Sequence, residues 1–257
     1  MTQPVLIERS GGAAILTLNA PGKRNAISTE MRIDLRRALQ DAVEDRTCTA
    51  IILTGAGDTF CAGADVSQMV ENDIAFARHR LMILHDCVRL LANGGKPTLA
   101  AVEGHAVGAG LSLALACDFM IASGTAKIGA AFAKIGLVAD CGLLWTLPQK
   151  IGQARAKDLL FSARIVSGKE AAALGMVDEV TEPGAALAAA LQRAKTYEGG
   201  APMALAATKA ALSRGATSLD DILAIEADVQ LVMTFTADHA EAKQAFKEKR
   251  KPTFVGR

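Results

Sequence analysis

The sequence predicts an α/β protein built on a largely parallel sheet. Short apolar runs such as Ala50–Thr54 and Thr98–Val102 are each followed by a glycine-rich turn and then a helical pattern. Repetition of that unit favours parallel strands with a ligand at the turns that follow them. From Ala154 onward the pattern becomes mostly helical, which sets a helical region after the α/β part.

Val5–Arg9 and Ala13–Asn19 are extended runs around Gly11-Gly12 and predict a β-hairpin. Ser28 is placed to cap a helix running to about Asp45, with Met31, Leu35, Leu39 and Val43 on one face. Ala50–Thr54 reads as a buried strand and is followed by the loop GAGDTFCAGAD. Residues 72–93 have a helical pattern. Thr98–Val102 is a second buried strand, and EGHAVGAG then opens a small-residue helix to about Cys117. Phe119–Ala122 is a third strand, and Val177–Val180 a short one within the helical part. Gly199-Gly200-Ala201-Pro202 predicts a hinge before two more helices, the last ending in the charged run Lys243–Lys251. The expected division is a core over 1–198 and a helical region over 199–257.

The chain has 257 residues, enough to bury a core without staples. Hydrophobic residues make up 51%, which excludes global disorder; aromatics are 4%, so Ala, Leu, Val and Ile must fill the core. Lys plus Arg is 28 against 27 Asp plus Glu, a net charge of +1. That balance argues against a nucleic-acid binder and against a polybasic membrane anchor. The five cysteines form no CxxC pair and no zinc spacing, the usage of a reducing compartment. The N-terminus lacks a basic start followed by an apolar run, so a signal peptide is not expected. Leu99–Ala122 is interrupted by Glu103 and Asp118 and reads as core, not as a membrane span. A cytoplasmic protein without a metal is the expectation.

Three segments could carry chemistry. Phe60-Cys61-Ala62-Gly63-Ala64-Asp65 follows a buried strand, and its small residues let backbone N–H groups approach developing negative charge. Its other reading is a surface turn in which Gly63 supplies a positive φ. Gly104-His105-Ala106-Val107-Gly108-Ala109-Gly110 opens a helix, where free N–H groups and the dipole favour an anion. It is not GxGxxG and no phosphate lysine follows; tight helix packing is the other reading. Asp140 lies among apolar neighbours, so loss of hydration would raise its proton affinity. It could instead cap a helix starting near Gly142. Ser112 lacks the GxSxG setting of a nucleophile, so a bond to a backbone carbonyl is expected, not a pair with His85 or His105.

Taken together, these segments resemble the crotonase, or enoyl-CoA hydratase/isomerase, family. The resemblance runs from about Val5 to Phe254. It rests on Asn19-Ala20-Pro21, Asn25-Ala26 with Ser28, the 60–65 and 104–110 segments, Ala116-Cys117-Asp118 and Ile135-Gly136-Leu137-Val138, in that order and spacing. It implies a spiral of ββα units and a C-terminal helical region that builds homotrimers, often paired into hexamers. It also implies an acyl-CoA thioester substrate and no cofactor beyond that coenzyme A.

The same resemblance implies roles for individual residues. The amides of Ala64 and Ala109 would hold the thioester oxygen. Lys23, Arg24 and Ala26 fall where the family contacts the pantetheine and phosphate portion. Ala62, Asp65 and Val66 fall at the adenine. Phe246 and Lys249 fall where the last helix, commonly a neighbour's, touches the nucleotide; a solvated helix end is the alternative for the Lys247–Lys251 run. The two hydratase glutamates are replaced by Ser112 and Phe132, neither of which can act as a general base. Asp140 stands where an isomerase branch, including ring-type isomerases of phenylacetate degradation, carries its acid/base. Ala139 stands where that branch usually has Pro, and Leu143-Leu144 replace Gly-Thr. The resemblance therefore implies an isomerase, with a hydratase or a non-catalytic acyl-CoA binder as alternatives.

Overall fold

A computed structural model describes residues 3–68, 73–215 and 218–257. Six strands form the main sheet: β1 (Val5–Ser10), β2 (Ala13–Leu18), β3 (Ala50–Gly55), β4 (Thr98–Val102), β6 (Phe119–Ser123) and β9 (Glu179–Thr181), side by side in that order. β1 and β2 form the antiparallel hairpin, and every later pair is parallel. All five residues of β4 are buried, as expected of a central strand covered on both faces.

Between these strands run α1 (Thr29–Glu44), α2 (Ile74–Asn93) and α3 (Ala109–Ala116). Ser28 caps α1, its hydroxyl accepting the Met31 N–H at 3.1 Å. Asp73 caps α2 through the Ala75 N–H; residue 72, the expected start, lies outside the described residues. Ile51, Leu53, Ala100 and Val102 point toward α1, α2 and α3. The alternate residues Ile52, Leu99, Ala101 and Ile121 face α7 (Ala186–Lys195), whose Ala186, Ala190 and Ala194 let the helix lie close. The two acidic residues in the apolar stretch are both paired. Glu103 accepts the Ala186 N–H at the start of α7, and Asp118 accepts from Thr98.

A second sheet of three very short strands was not foreseen: β5 (His105–Val107), β7 (Lys127–Gly129) and β8 (Val166–Ser167). It is prolonged by two isolated parallel bridges, Cys61 with Ala106 and Ile27 with Ala64. The chain therefore winds through strand–strand–helix units, one strand in each sheet. After β7 come α4 (Leu143–Ile151), α5 (Gln153–Ser162) and α6 (Gly168–Leu174).

Beyond Gly199-Gly200, α8 (Pro202–Ser213), α9 (Leu219–Thr234) and α10 (Ala237–Glu248) follow. Three helices stand there, not two, because the Ser218 capping box and the Thr236 cap divide the segment. The late strand is Glu179–Thr181, displaced from Val177–Val180, because Met176 and Val177 turn into the core. No helix among the described residues is long and apolar enough to cross a membrane.

Candidate active site

The two glycine-rich loops are stitched together by backbone bonds. Cys61 donates to His105 O at 2.7 Å and accepts the Val107 N–H at 3.0 Å. Ile27 donates to Gly63 O at 2.8 Å and accepts the Asp65 N–H at 3.1 Å. In a parallel bridge one residue grips the neighbours on either side of its opposite number, so the opposite residue's own N–H and C=O aim away. Ile27 therefore turns the Ala64 amide away from itself. Ala109 opens α3, where the first N–H groups have no intrahelical partner. Among the described residues, neither the Ala64 nor the Ala109 amide donates a hydrogen bond within the chain.

Glycine makes this approach possible. Gly63 has φ +109°, and a Cβ there would stand 3.1 Å from Val107 O and 3.9 Å from the Ala109 nitrogen. A Cβ on Gly110 would lie 2.3 Å from Cys61 O. The Cys61 sulfur accepts the Gly63 N–H at 3.4 Å. Burial pushes that thiol up to about 12, so it is a neutral packing group and not a nucleophile. The Phe132 ring covers the Gly108 turn, its Cζ 4.0 Å from where a Cβ would sit.

Asp140 does not cap α4. Gly142 is the N-cap residue, in a left-handed conformation with φ 80°, and no side chain caps the helix. Cys141 before it is also left-handed, φ 51°, so the chain turns sharply just after Asp140. The Asp140 carbonyl accepts the Ser112 hydroxyl at 3.0 Å and the Leu143 N–H at 3.1 Å. Its Oδ1 is buried without a hydrogen-bond partner. Burial raises the carboxyl above its usual range, opposed by the Cys141 thiol, His85 and Arg32. Ile135, Leu137, Val138 and Leu144 form an exposed apolar lip on the segments flanking it in sequence.

The residues expected at the nucleotide end fall into two groups. Lys23 and Asp65 are joined by an ion pair at 2.8 Å, and Asp65 also accepts the Ser67 hydroxyl at 2.6 Å. These bonds hold the Asp65 carboxyl below the usual range. Arg24 adopts a left-handed φ of 51°, and its carbonyl accepts the Ala62 N–H at 3.0 Å. Ala26 follows directly, its N–H on Lys23 O, and Val66 is exposed. Asn25 locks the turn from within, accepting from Ala20 N and donating to Ala56 O and Thr59 O. Phe246 and Lys249 stand apart, exposed at the end of α10, and no hydrogen bond or ion pair among the described residues joins their side chains to these loops.

The family model for enoyl-CoA hydratase/isomerase matches residues 8–257. The chain belongs to the enoyl-CoA hydratase/isomerase family. Among its curated relatives is 1,2-epoxyphenylacetyl-CoA isomerase of Escherichia coli, 35% identical with full coverage of both chains. Short-chain-enoyl-CoA hydratase of Clostridium acetobutylicum is 33% identical over 96% of this chain and 95% of its own. The crystal structure of an enoyl-CoA hydratase from Bacillus anthracis superposes with a TM-score of 0.93 at 30% identity, covering 99% of this chain and all of that one. The fold is the crotonase spiral of this enoyl-CoA hydratase/isomerase family.

Sequence reasoning passed over two buried arginines, Arg32 and Arg80. Arg32 and Arg80 are 5% and 6% exposed, and the charges of His85 and Arg32 both favour the ionised form of Asp140. The signal for Arg32 was present. It lies three residues before Leu35 and seven before Leu39, on the helix face that goes inward. No group of three or more metal-binding side chains occurs among the described residues.

Proposed function

We propose that this enoyl-CoA hydratase/isomerase family member is an acyl-CoA isomerase. Asp140 removes a proton from carbon 2 or 4 of an unsaturated acyl-CoA. The C–H electron pair delocalises onto the thioester oxygen, and the amides of Ala64 and Ala109 stabilise that charge. The Asp140 acid then returns the proton at the other carbon. Preorganised amides of this kind contribute roughly 3–4 kcal/mol per donor. The observation that carries the reading is the buried Asp140 Oδ1 without a partner, in a chain with Ser112 and Phe132 at the glutamate positions. One carboxylate suffices because no water is added. A ring-type acyl-CoA, such as an epoxide or oxepin of phenylacetyl-CoA, would use the same enolate.

Lys23, Arg24, Ala26, Ala62, Asp65 and Val66 would bind the coenzyme A portion, with Phe246 and Lys249 contributed across an interface. Homotrimers or dimers of trimers would form through the C-terminal helices. α8 and α9 bury no residue, yet expose Leu212, Leu219 and Leu231, with Phe235 exposed at the end of α9. No separate cofactor is required, and a cytoplasmic setting fits five free buried thiols.

Hydration is favoured instead by the relatives named as hydratases. Crotonyl-CoA and trans-3-hexenoyl-CoA incubated in deuterated water decide between the two. Isomerisation moves the double bond, with deuterium entering wherever the Asp140 acid exchanges with solvent before it returns its proton, and hydration consumes the bond. Tight ester binding with neither outcome would sink both reactions and leave a non-catalytic binder.

A further inference from the structure

The two loops that carry the Ala64 and Ala109 amides meet at one point, and a third element reaches it. A Cβ on Gly108 would lie 3.9 Å from Gly63 Cα and 4.0 Å from the Cζ of Phe132. Gly63 directly precedes Ala64, and Gly108 directly precedes Ala109. The tip of the Phe132 ring therefore stands at the junction of both donor loops. That junction is close to a donor itself, since a Cβ on Gly63 would be 3.9 Å from the Ala109 nitrogen.

The chain holds the ring there from both sides. Gly108 donates to Gly129 O at 2.9 Å, which fixes the Gly108 turn to the end of β7. Ala130 follows, and a 3-10 turn over Ala131–Ile135 brings in Phe132. Beyond the ring, the Phe132 carbonyl accepts the Leu137 N–H at 3.1 Å, and Gly136 turns the chain with φ 72°. Leu137 leads through Val138 and Ala139 to Asp140. Phe132 thus joins the donor loops to the segment that carries the proposed base. It is 7% exposed and belongs to the main core cluster with Ala109, Ala139, Cys141 and Leu143. A held water needs two or more polar partners, and the ring supplies none.

Water matters because an enolate-forming site can also add it. Water attacking carbon 3 of a 2-enoyl-CoA forms a C–O bond and drives the C2–C3 π pair onto the thioester oxygen. The water proton passes to the Asp140 carboxylate, and that acid protonates carbon 2 to give a 3-hydroxyacyl-CoA. The same two amides serve both enolates, so they do not choose between isomerisation and hydration. Access of water does.

We propose that Phe132 determines the outcome of the reaction: its ring dries the junction of the two donor loops, so that an unsaturated product is released without adding water. This rests on the isomerase reading for the product, but not for the dryness of the oxyanion site. A drier site also strengthens the hold of the two amides on the enolate charge.

The test uses the full chain and the variants Phe132→Ala, Phe132→Val and Phe132→Leu, with folding checked by circular dichroism and urea unfolding. One readout is the ratio of 3-hydroxyhexanoyl-CoA to trans-2-hexenoyl-CoA formed from trans-3-hexenoyl-CoA, read by mass. The other is the near-ultraviolet enolate band of bound acetoacetyl-CoA at fixed pH, which needs no turnover. In Phe132→Ala and Phe132→Val the hydrated fraction rises about tenfold over wild type, and the enolate band weakens. Phe132→Leu keeps both close to wild type. A purely structural role lowers the urea midpoint and moves neither readout. If Phe132→Ala does not fold, Phe132→Val decides, and a folded Phe132→Val in which either readout matches wild type overturns the proposal. If wild type hydrates the ester or leaves it unchanged, the isomerase reading fails, and the enolate band alone decides whether the ring dries the site.

Discussion

The Ser112 hydroxyl donates to the carbonyl oxygen of Asp140 at 3.0 Å. Ser112 is fully buried on α3, the helix opened by the Ala109 amide. One side chain therefore ties the proposed oxyanion donor to the turn that aims the proposed base. Ser112→Ala removes that tie and leaves a buried carbonyl with one bond fewer, at about 1 kcal/mol of stability. The rate is expected to fall further than stability does, by between about tenfold and a hundredfold, because sub-ångström placement governs proton transfer. Single-turnover double-bond migration beside urea unfolding measures both. Equal losses in the two would show a structural tie without a catalytic one.

Asp140→Asn gives a pH-dependent signature. Burial raises the folded-state carboxyl above the ordinary 3.8. For a raised carboxyl, the stability contribution is complete below the unfolded value and is lost as pH rises through the folded one. Wild type therefore loses stability relative to Asp140→Asn as pH climbs from about 4 toward neutrality. The variant should bind acyl-CoA while losing isomerisation. Urea midpoints at pH 4 and pH 7 test the first claim, and calorimetric titration with a CoA ester tests the second. A difference between the proteins that stays constant with pH would refute the buried-charge account.

Gly110 and Gly22 form a contrast. A Cβ at Gly110 meets Cys61 backbone, with the carbonyl oxygen at 2.3 Å and the carbonyl carbon at 3.0 Å, whereas a Cβ at Gly22 meets nothing within 4 Å. Gly110→Ala must push apart the loops carrying Ala64 and Ala109, at about 2–3 kcal/mol. Its activity should fall even at temperatures where it stays folded. Gly22→Ala should melt close to wild type. Thermal unfolding of the pair, with isomerase assays well below the melting point, checks this.

The legible parts of this fold are those written in local chemistry. Ser28 before a periodic apolar face announces α1, and Leu99–Val102 between polar ends announces a central strand, because capping and burial act over a few residues. β5, β7 and β8 were not legible. Strands of two or three residues have no period to read, and they exist only because Cys61 and Gly104 bring distant backbone together. The candidate site divides in the same way. The small-residue loops and Asp140 stand out as composition, but the Gly63–Ala109 approach and the burial of Arg32 depend on tertiary packing. Lys209 is the clearest case, an ordinary exposed-helix lysine in sequence whose role depends on chain more than ninety residues away.

Lys209 on α8 reaches into the end of the main sheet. Its Nζ contacts Leu91 O at 2.6 Å, Lys96 O at 2.9 Å, Thr98 Oγ1 at 3.2 Å and Asp118 Oδ2 at 2.7 Å. Its side chain is 9% exposed. α8 buries none of its own residues, so this ammonium is a main anchor of the C-terminal helices on the core. Lys209→Met keeps the stem and removes the charge. Two carbonyls lose a donor and Asp118 a counter-ion, a loss of about 3–5 kcal/mol for a broken buried pair. The double variant Lys209→Met/Asp118→Asn should recover part of that, because the uncompensated charge is gone. A double-mutant cycle by chemical denaturation measures the recovery. Additive losses would mean that the ion pair contributes nothing beyond its separate hydrogen bonds.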